Sequence, residues 1–289
     1  MRRLGGICAS LWLLMPLAAP AATLLPLQTE EALTLPSAHV QFILSADYTR
    51  NQRFPYFTPK GAIDDQDLVH APQIAVRAGL GEWAEVQASY ELLYNDEHLD
   101  NGEHNQHFGS GDARLFTKLY LMRQREWLPA LGLDFGAKLP DANFDDRLGT
   151  DETDFQILAL ASRDFGIVSA HTNLGIALLG NPGPAIQNDN SWEAGGQDDL
   201  FVWSLAAVSK PLALPTEGLT VRVLAELAGN AGSRFDNDRG VFRGGAQLGM
   251  GDWCLFAGMS AGFAGGSEDV GASAGVMYTA DLSRFVGGD

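Results

Sequence analysis

Residues 131–162 read LGLDFGAKLPDANFDDRLGTDETDFQILALAS, two alternating runs held apart by a dozen acidic and turn-forming residues. In the first run Leu131, Leu133, Phe135, Ala137 and Leu139 share one parity, and Gly132, Asp134, Gly136 and Lys138 share the other. In the second, Phe155, Ile157, Ala159 and Ala161 repeat the apolar parity. A two-residue period sends successive side chains to opposite faces of a strand, so each run is a strand with one apolar face. A compact hairpin turns in about two to five residues. The connection from Asp141 to Glu152 is far longer, which predicts an external loop kept soluble by its charge.

The same alternation recurs along the chain, over residues 37–49, 72–80, 84–94, 111–121, 167–179, 199–209, 219–228, 241–250, 253–263 and 270–282. With the opening pair this makes about twelve strands, and helical periodicity is nowhere sustained. Long polar connections at 50–68, 95–107, 140–152, 181–198 and 229–239 alternate with short ones at 80–83, 122–126, Gly166 and 251–252. An even strand count with long loops at one end and short turns at the other is the pattern of an outer-membrane barrel. The expectation is therefore an all-β fold, a transmembrane up-and-down antiparallel β-barrel of about 12 strands spanning 37–285 in the bacterial outer membrane. Residues 210–218 are long for a turn, and 265–269 short for an outer loop.

The first residues, MRRLGGICASLWLLMPLAAPAAT, have a basic start, an apolar stretch and an Ala19-Pro20-Ala21 cleavage pattern, which predicts a signal peptide over 1–21. Residues 22–36, ATLLPLQTEEALTLP, carry five leucines but also Pro26 and Pro36, so they cannot form a lipid-spanning strand with a full ladder. They are expected either in the periplasm or folded into the barrel mouth as a plug. The formal net charge is −17, and loss of the leader removes two arginines more, so nucleic acid is not an expected partner. Without the leader, Cys254 is the single cysteine and no intramolecular disulfide can form.

The tripeptides at 81–83, 125–127 and 251–253 put Trp83, Trp127 and Trp253 just after short turns, as an aromatic girdle at a membrane interface requires. Trp83 has inward parity relative to Val86 and Ala88. The lumen-lining set read from inward parity is Arg77, Glu91, Asp112, Arg114, Lys118, Asp134, Lys138, Asp154, Gln156, His171, Arg222, Glu226, Arg243 and Gln247, with Ser169 and Asn173 beside His171. A ring of one sign would make an ion-selective pore, whereas mixed signs favour cross-strand pairs that brace a small barrel. Ser169, His171 and Asn173 line one wall, but their spacing establishes no nucleophile and base, and no G-x-S-x-G is present. His98, His104 and His107 stand among acids, but H-x5-H-x2-H matches no specific metal site, and 95–107 reads as a solvated acidic loop. The run 141–154 has a calcium-like composition without the ligand spacing of a twelve-residue loop. No cofactor, no metal and no enzymatic activity is expected.

In order, GSGDARLFTKLYL (109–121), LPALGLDFGAKLP (128–140), LGTDETDFQILALAS (148–162) and TNLGIALLGNP (172–182) resemble the outer-membrane proteins grouped under the MetA pathway of phenol degradation. Members of that family show a Gly-Gly/Ser-Gly-Asp strand start, a K-L-P strand end, an L-G-[ST]-x-x-x-D-F re-entry and an N-L-G strand. The match is best over 109–182. It implies an outer-membrane barrel that passes small, often apolar or aromatic, compounds, with membrane lipid, lipopolysaccharide, the barrel assembly machinery and a small-molecule solute as partners. The chain departs from such barrels in ending SRFVGGD rather than on an aromatic residue. The expected role is thus a channel or transporter. The rivals are a barrel enzyme acting on lipid or lipopolysaccharide and a structural or adhesive barrel with cation-bridging loops.

Overall fold

The computed structural model of the chain describes residues 23–53, 65–99, 101–143, 146, 148–180, 199–232 and 238–286, and the expected leader over 1–21 lies outside these. Its elements are β1 (His39–Arg53), β2 (Asp65–Leu80), β3 (Ala84–His98), β4 (His104–Ser110), β5 (Ala113–Met122), β6 (Ala130–Leu139), β7 (Asp154–Asp164), β8 (Val168–Leu178), β9 (Leu200–Ser209), β10 (Leu212–Ala213), β11 (Leu219–Ala231), β12 (Arg239–Met250), β13 (Trp253–Gly262), β14 (Val270–Asp281) and the single turn α1 (Ser283–Val286). Neighbours are antiparallel throughout, and β1 pairs with both β2 and β14, which closes the sheet. β4 and β5 are two halves of one stave, both paired with β3 and interrupted at Gly111 and Asp112. β10 is a stub on the side of β9. The fourteen segments therefore make a twelve-stave barrel, the fold class that the alternation predicts.

Burial is inverted relative to a soluble protein. On β7, Phe155, Ile157 and Ala159 are exposed while Leu158, Leu160 and Ser162 are buried. Lys118, Asp134 and Glu226 are ionisable and almost fully enclosed. The opening pair of runs shows why. Leu133 sits opposite Ala159 and Phe135 opposite Ile157 on the outer face, while Lys138 sits opposite Asp154 on the inner one. An apolar outside and a polar inside suit a sheet whose outer solvent is hydrocarbon.

The loop end differs from the sequence expectation in three places. Residues 95–107 are not a solvated loop, because β3 runs on to His98 and returns at His104 as β4 through a turn with Gly102 at φ +82°. β2 likewise begins at Asp65, seven residues before the predicted start. It tolerates Pro72, which has no N–H, because the register shifts between His70 and Gln73. The segment after Leu139 is not simply held out in water either. Asp112 Oδ1 accepts hydrogen bonds from the N–H groups of Asp141 and Ala142, at 3.1 and 3.0 Å. Ala142 and Leu148 are thereby packed on Leu68 and Leu93, inward apolar residues that would otherwise face water.

At the turn end Trp83, Trp127 and Trp253 are all exposed. Trp83 belongs to the turn itself, before β3 begins, so strand parity does not govern it. Its ring stacks on Tyr120 at 5.5 Å, and Trp253 lies 4.7 Å from Tyr278.

Because Ala159 faces lipid at mid-strand and Gln156 faces the lumen, Ala159→Arg should lower the folded yield sharply and Gln156→Arg should not. The cost at the lipid face is roughly 2–4 kcal/mol. Heat-modifiable gel mobility measures the yield, and equal yields would refute the assignment of faces.

Candidate functional site

The backbone of residues 23–36 has no strand partner, yet it lies inside the barrel, where each peptide group must still be satisfied. Side chains of the inner wall do this. The Asn173 amide accepts from Glu30 N at 2.7 Å and donates to Glu30 O at 2.8 Å, as a neighbouring strand would. Glu226 Oε2 accepts from Thr29 N and Thr29 Oγ1 at 2.6 and 2.7 Å. Ser162 Oγ accepts from Ala32 N, Glu85 Oε2 from Leu35 N, and Gln247 Nε2 donates to Thr23 O and Leu25 O. Taken from Leu35 back to Thr23, these contacts run from β3 through β7, β8 and β11 to β12. Thr23 then meets Gln41 on β1 and Arg77 on β2, so the segment makes one turn around the wall.

One side of this ring is a charge cluster. Arg77 NH2 is 2.7 Å from Glu30 and its Nε 2.6 Å from Glu85, while Lys118 Nζ is 3.2 Å from Glu30 and 3.7 Å from Glu85. Asp134 stands directly across from Lys118 in register. Burial pushes the Glu30 carboxyl up, but Arg77 and then Lys118 pull it down further, and it settles at about 2. A buried charge whose partner is removed is strongly destabilising, so Glu30 ties the segment to the wall.

The apolar contacts fall between these polar ones. Leu24 and Leu27 pack on Ala206, Val208 and Leu224; Ala32 and Leu33 on Ala130, Leu158 and Leu160; Leu25 on Ile43, Phe256 and Met277. The wall also supplies room. At Gly79 a Cβ would come within 2.1 Å of Pro36 O, and at Gly258 within 2.4 Å of Pro26 Cγ, so only glycine admits the segment there.

Thirteen of the fourteen residues read as lumen-lining lie on strands at the inner parity and Asp112 sits in the break between β4 and β5, but they do different things. Arg77, Lys118, Glu226 and Gln247 bond the segment directly. Arg243 and Arg222 brace Glu226 and Gln247 from behind. Lys138 bridges Asp112 and Asp154 at 3.1 and 2.8 Å, and Glu91 holds His70 and Arg114, so these form a second girdle nearer the loop end. Gln156 lines a cavity of ≈ 350 Å³ with Gln28, Asn173, Ser204 and Asn230, and Arg114 lines another of ≈ 170 Å³ with Glu30, Gln73 and Glu91. His171 is paired with Ser162 at 2.9 Å rather than with Ser169, and its Nε2 has no partner among the described residues. Ser162 Oγ already accepts from Ala32 N, and among the described residues no acid orients the pair from the far side of His171.

Inward parity in the sequence passed over Glu85, Ser162 and the apolar wall residues Ile43, Leu158, Leu160, Val208, Leu224, Phe256 and Met277. The apolar ones stood out as apolar residues on the polar parity, a signal that becomes meaningful only beside the leucines of 24–35.

No protein-family model matches the sequence, and no curated protein does. Solved structures match by fold. The COG4313 outer membrane channel from Pseudomonas putida F1 aligns with TM-score 0.60 at 15% identity, over 88% of this chain and 100% of that one. The translocator domain of the autotransporter NalP from Neisseria meningitidis aligns with TM-score 0.51 at 14% identity, over 83% of this chain and 88% of that one. These likenesses show the fold of outer-membrane barrels.

Two outcomes follow from the docked segment. Gly79→Val should displace it without unfolding the barrel, read as new protease cleavage within 23–36 at unchanged heat-modifiable mobility. Glu30 has a carboxyl pKa lowered from 4.5 to about 2 by docking, so its contribution is complete above 4.5 and is lost as pH falls towards 2. Acidification through that window should raise protease accessibility, using an acid protease, and Glu30→Gln should flatten that pH dependence.

Proposed function

We propose that this chain is an outer-membrane channel for small apolar or aromatic solutes, with residues 23–36 as its gate. The observation that carries the reading is the apolar inner wall. Ile43, Leu158, Leu160, Val208, Leu224, Phe256 and Met277 face the lumen and are packed against the segment's apolar side chains. A pore for hydrophilic solutes gains nothing from such patches, whereas a path for apolar solutes needs them, and the leucines occupy that path in the closed state. The polar contacts of the segment are to side chains and not to a ladder, so it can leave one at a time without opening the sheet. The likeness to a channel supports the reading. In it the partners are membrane lipid, lipopolysaccharide, the assembly machinery and the solute. Against the enzyme alternative, Ser162 Oγ is already held by Ala32 N, and among the described residues His171 Nε2 bonds no acid.

Deleting residues 24–35 should raise single-channel conductance several-fold in planar bilayers and speed uptake of small aromatic compounds into proteoliposomes, with folded yield preserved by the closed sheet. Unchanged conductance and uptake in a folded deletion variant would overturn the gate. Raised conductance with uptake confined to hydrophilic solutes would overturn the solute class.

A further inference from the structure

The hairpin of β3 and β4 rearranges the three histidines that the sequence scatters. His98 lies directly opposite His104 in the antiparallel register, and Asn95 opposite His107. The first pair shares the outer face with Asp96, while His107 turns to the inner face beside Glu97. The His98 and His104 rings stand edge to face at 4.7 Å, and one donor atom from each of Asp96, His98 and His104 falls within a 4.8 Å cluster. His104 Nδ1 is 3.1 Å from Asp96 Oδ1. A tetrahedral ion with bonds of about 2.1 Å holds its ligand atoms about 3.4 Å apart, so the proton shared by these two atoms occupies a place an ion can take. On the far side, the Asp65 carboxylate of β2 binds His98 Nδ1. That fixes the tautomer with its lone pair on Nε2, the arrangement in which a carboxylate behind a histidine raises its basicity towards a metal. Tyr94 and Phe108, paired on the same outer face, mark the edge of the apolar belt, and the cluster lies beyond them along the strands, in water.

We propose that Asp96, His98 and His104, oriented by Asp65, form a surface site for one divalent ion of the zinc class at the loop end of the barrel. Two imidazoles and a carboxylate suit zinc, nickel or copper and not the oxygen-only preference of calcium or magnesium. The three protein donors leave a fourth position open to solvent. The bound ion would clasp the β3–β4 turn, where the strands stand beyond the membrane.

The test is calorimetric titration of zinc chloride into full-length mature protein, refolded in detergent at pH 7.5, stripped with chelator and carrying no histidine tag. One equivalent should bind. His98→Ala and His104→Ala should each weaken binding at least about tenfold, Asp65→Asn about 10–100-fold as an outer-shell loss, and the pair of His→Ala changes should abolish it. His107→Ala, on the other face, should leave it unchanged. Magnesium should not compete. No binding by the parent protein, or stoichiometric binding retained by the double variant, would overturn the site, and so would loss of binding in His107→Ala alone. None of these outcomes bears on whether the lumen conducts.

Discussion

In hydrocarbon an unpaired peptide group costs several kcal/mol, and everything in this chain follows from satisfying that demand. The wall meets it by closing β1 on β14, which leaves no edge. Residues 23–36 meet it differently, because Pro26 and Pro36 deny them a full ladder and the wall strands already have both neighbours. Their N–H and C=O groups are taken up by Asn173, Glu226, Ser162, Glu85 and Gln247 instead. A ladder would have made the segment part of the wall. Side-chain partners leave it a separate body inside the wall.

The charges of the lumen acquire their meaning from this arrangement. Ion pairs such as Glu226–Arg243 and Lys138–Asp154 are directly opposed across strands and brace the staves, as mixed signs at inward parity suggest. Glu226 has a second duty, since its other oxygen holds Thr29. The Arg77, Lys118, Glu85 and Glu30 cluster goes further, because one of its members belongs to the segment and not to the wall. Burying such groups is not a cheap source of stability, and an apolar lumen of the same shape would hold a plug as firmly. What the charges add is a fixed azimuth for the segment, with Leu24, Leu25 and Leu33 delivered to three separate apolar patches.

Beyond the membrane the constraint relaxes and the chain behaves as an ordinary water-soluble sheet. β1 to β3 continue for 15, 16 and 15 residues, well past the roughly 9–11 that a tilted crossing uses. There the outer face becomes polar, with Asp65, Asp67, Asp96 and His98, while the inner face takes up Leu68, Leu93, Ala142 and Leu148. The parity rule persists along one strand while its sense reverses, because the solvent outside the barrel has changed from lipid to water. Arg239 and Glu268 make the corresponding clasp between β12 and the connection before β14. Burial raises the Glu268 carboxyl, but Arg239, a backbone hydrogen bond and Arg243 together lower it by more, so it lies below its ordinary value.

The sequence by itself determined the barrel, its approximate strand count and the face of nearly every strand residue. Alternation is local, and the solvent on each side imposes it residue by residue along Leu131–Leu139 as along Phe155–Ala161. It also marked residues 22–36 as unable to be a stave, from two prolines among leucines. It did not determine where that segment rests, because its partners Glu85, Ser162, Asn173, Glu226 and Gln247 come from five separate strands and converge only when the sheet closes. Nor did it determine that His98 meets His104 while His107 turns away. That depends on the register of β4 against β3, which is set by the turn around Gly102 and not by any spacing of histidines.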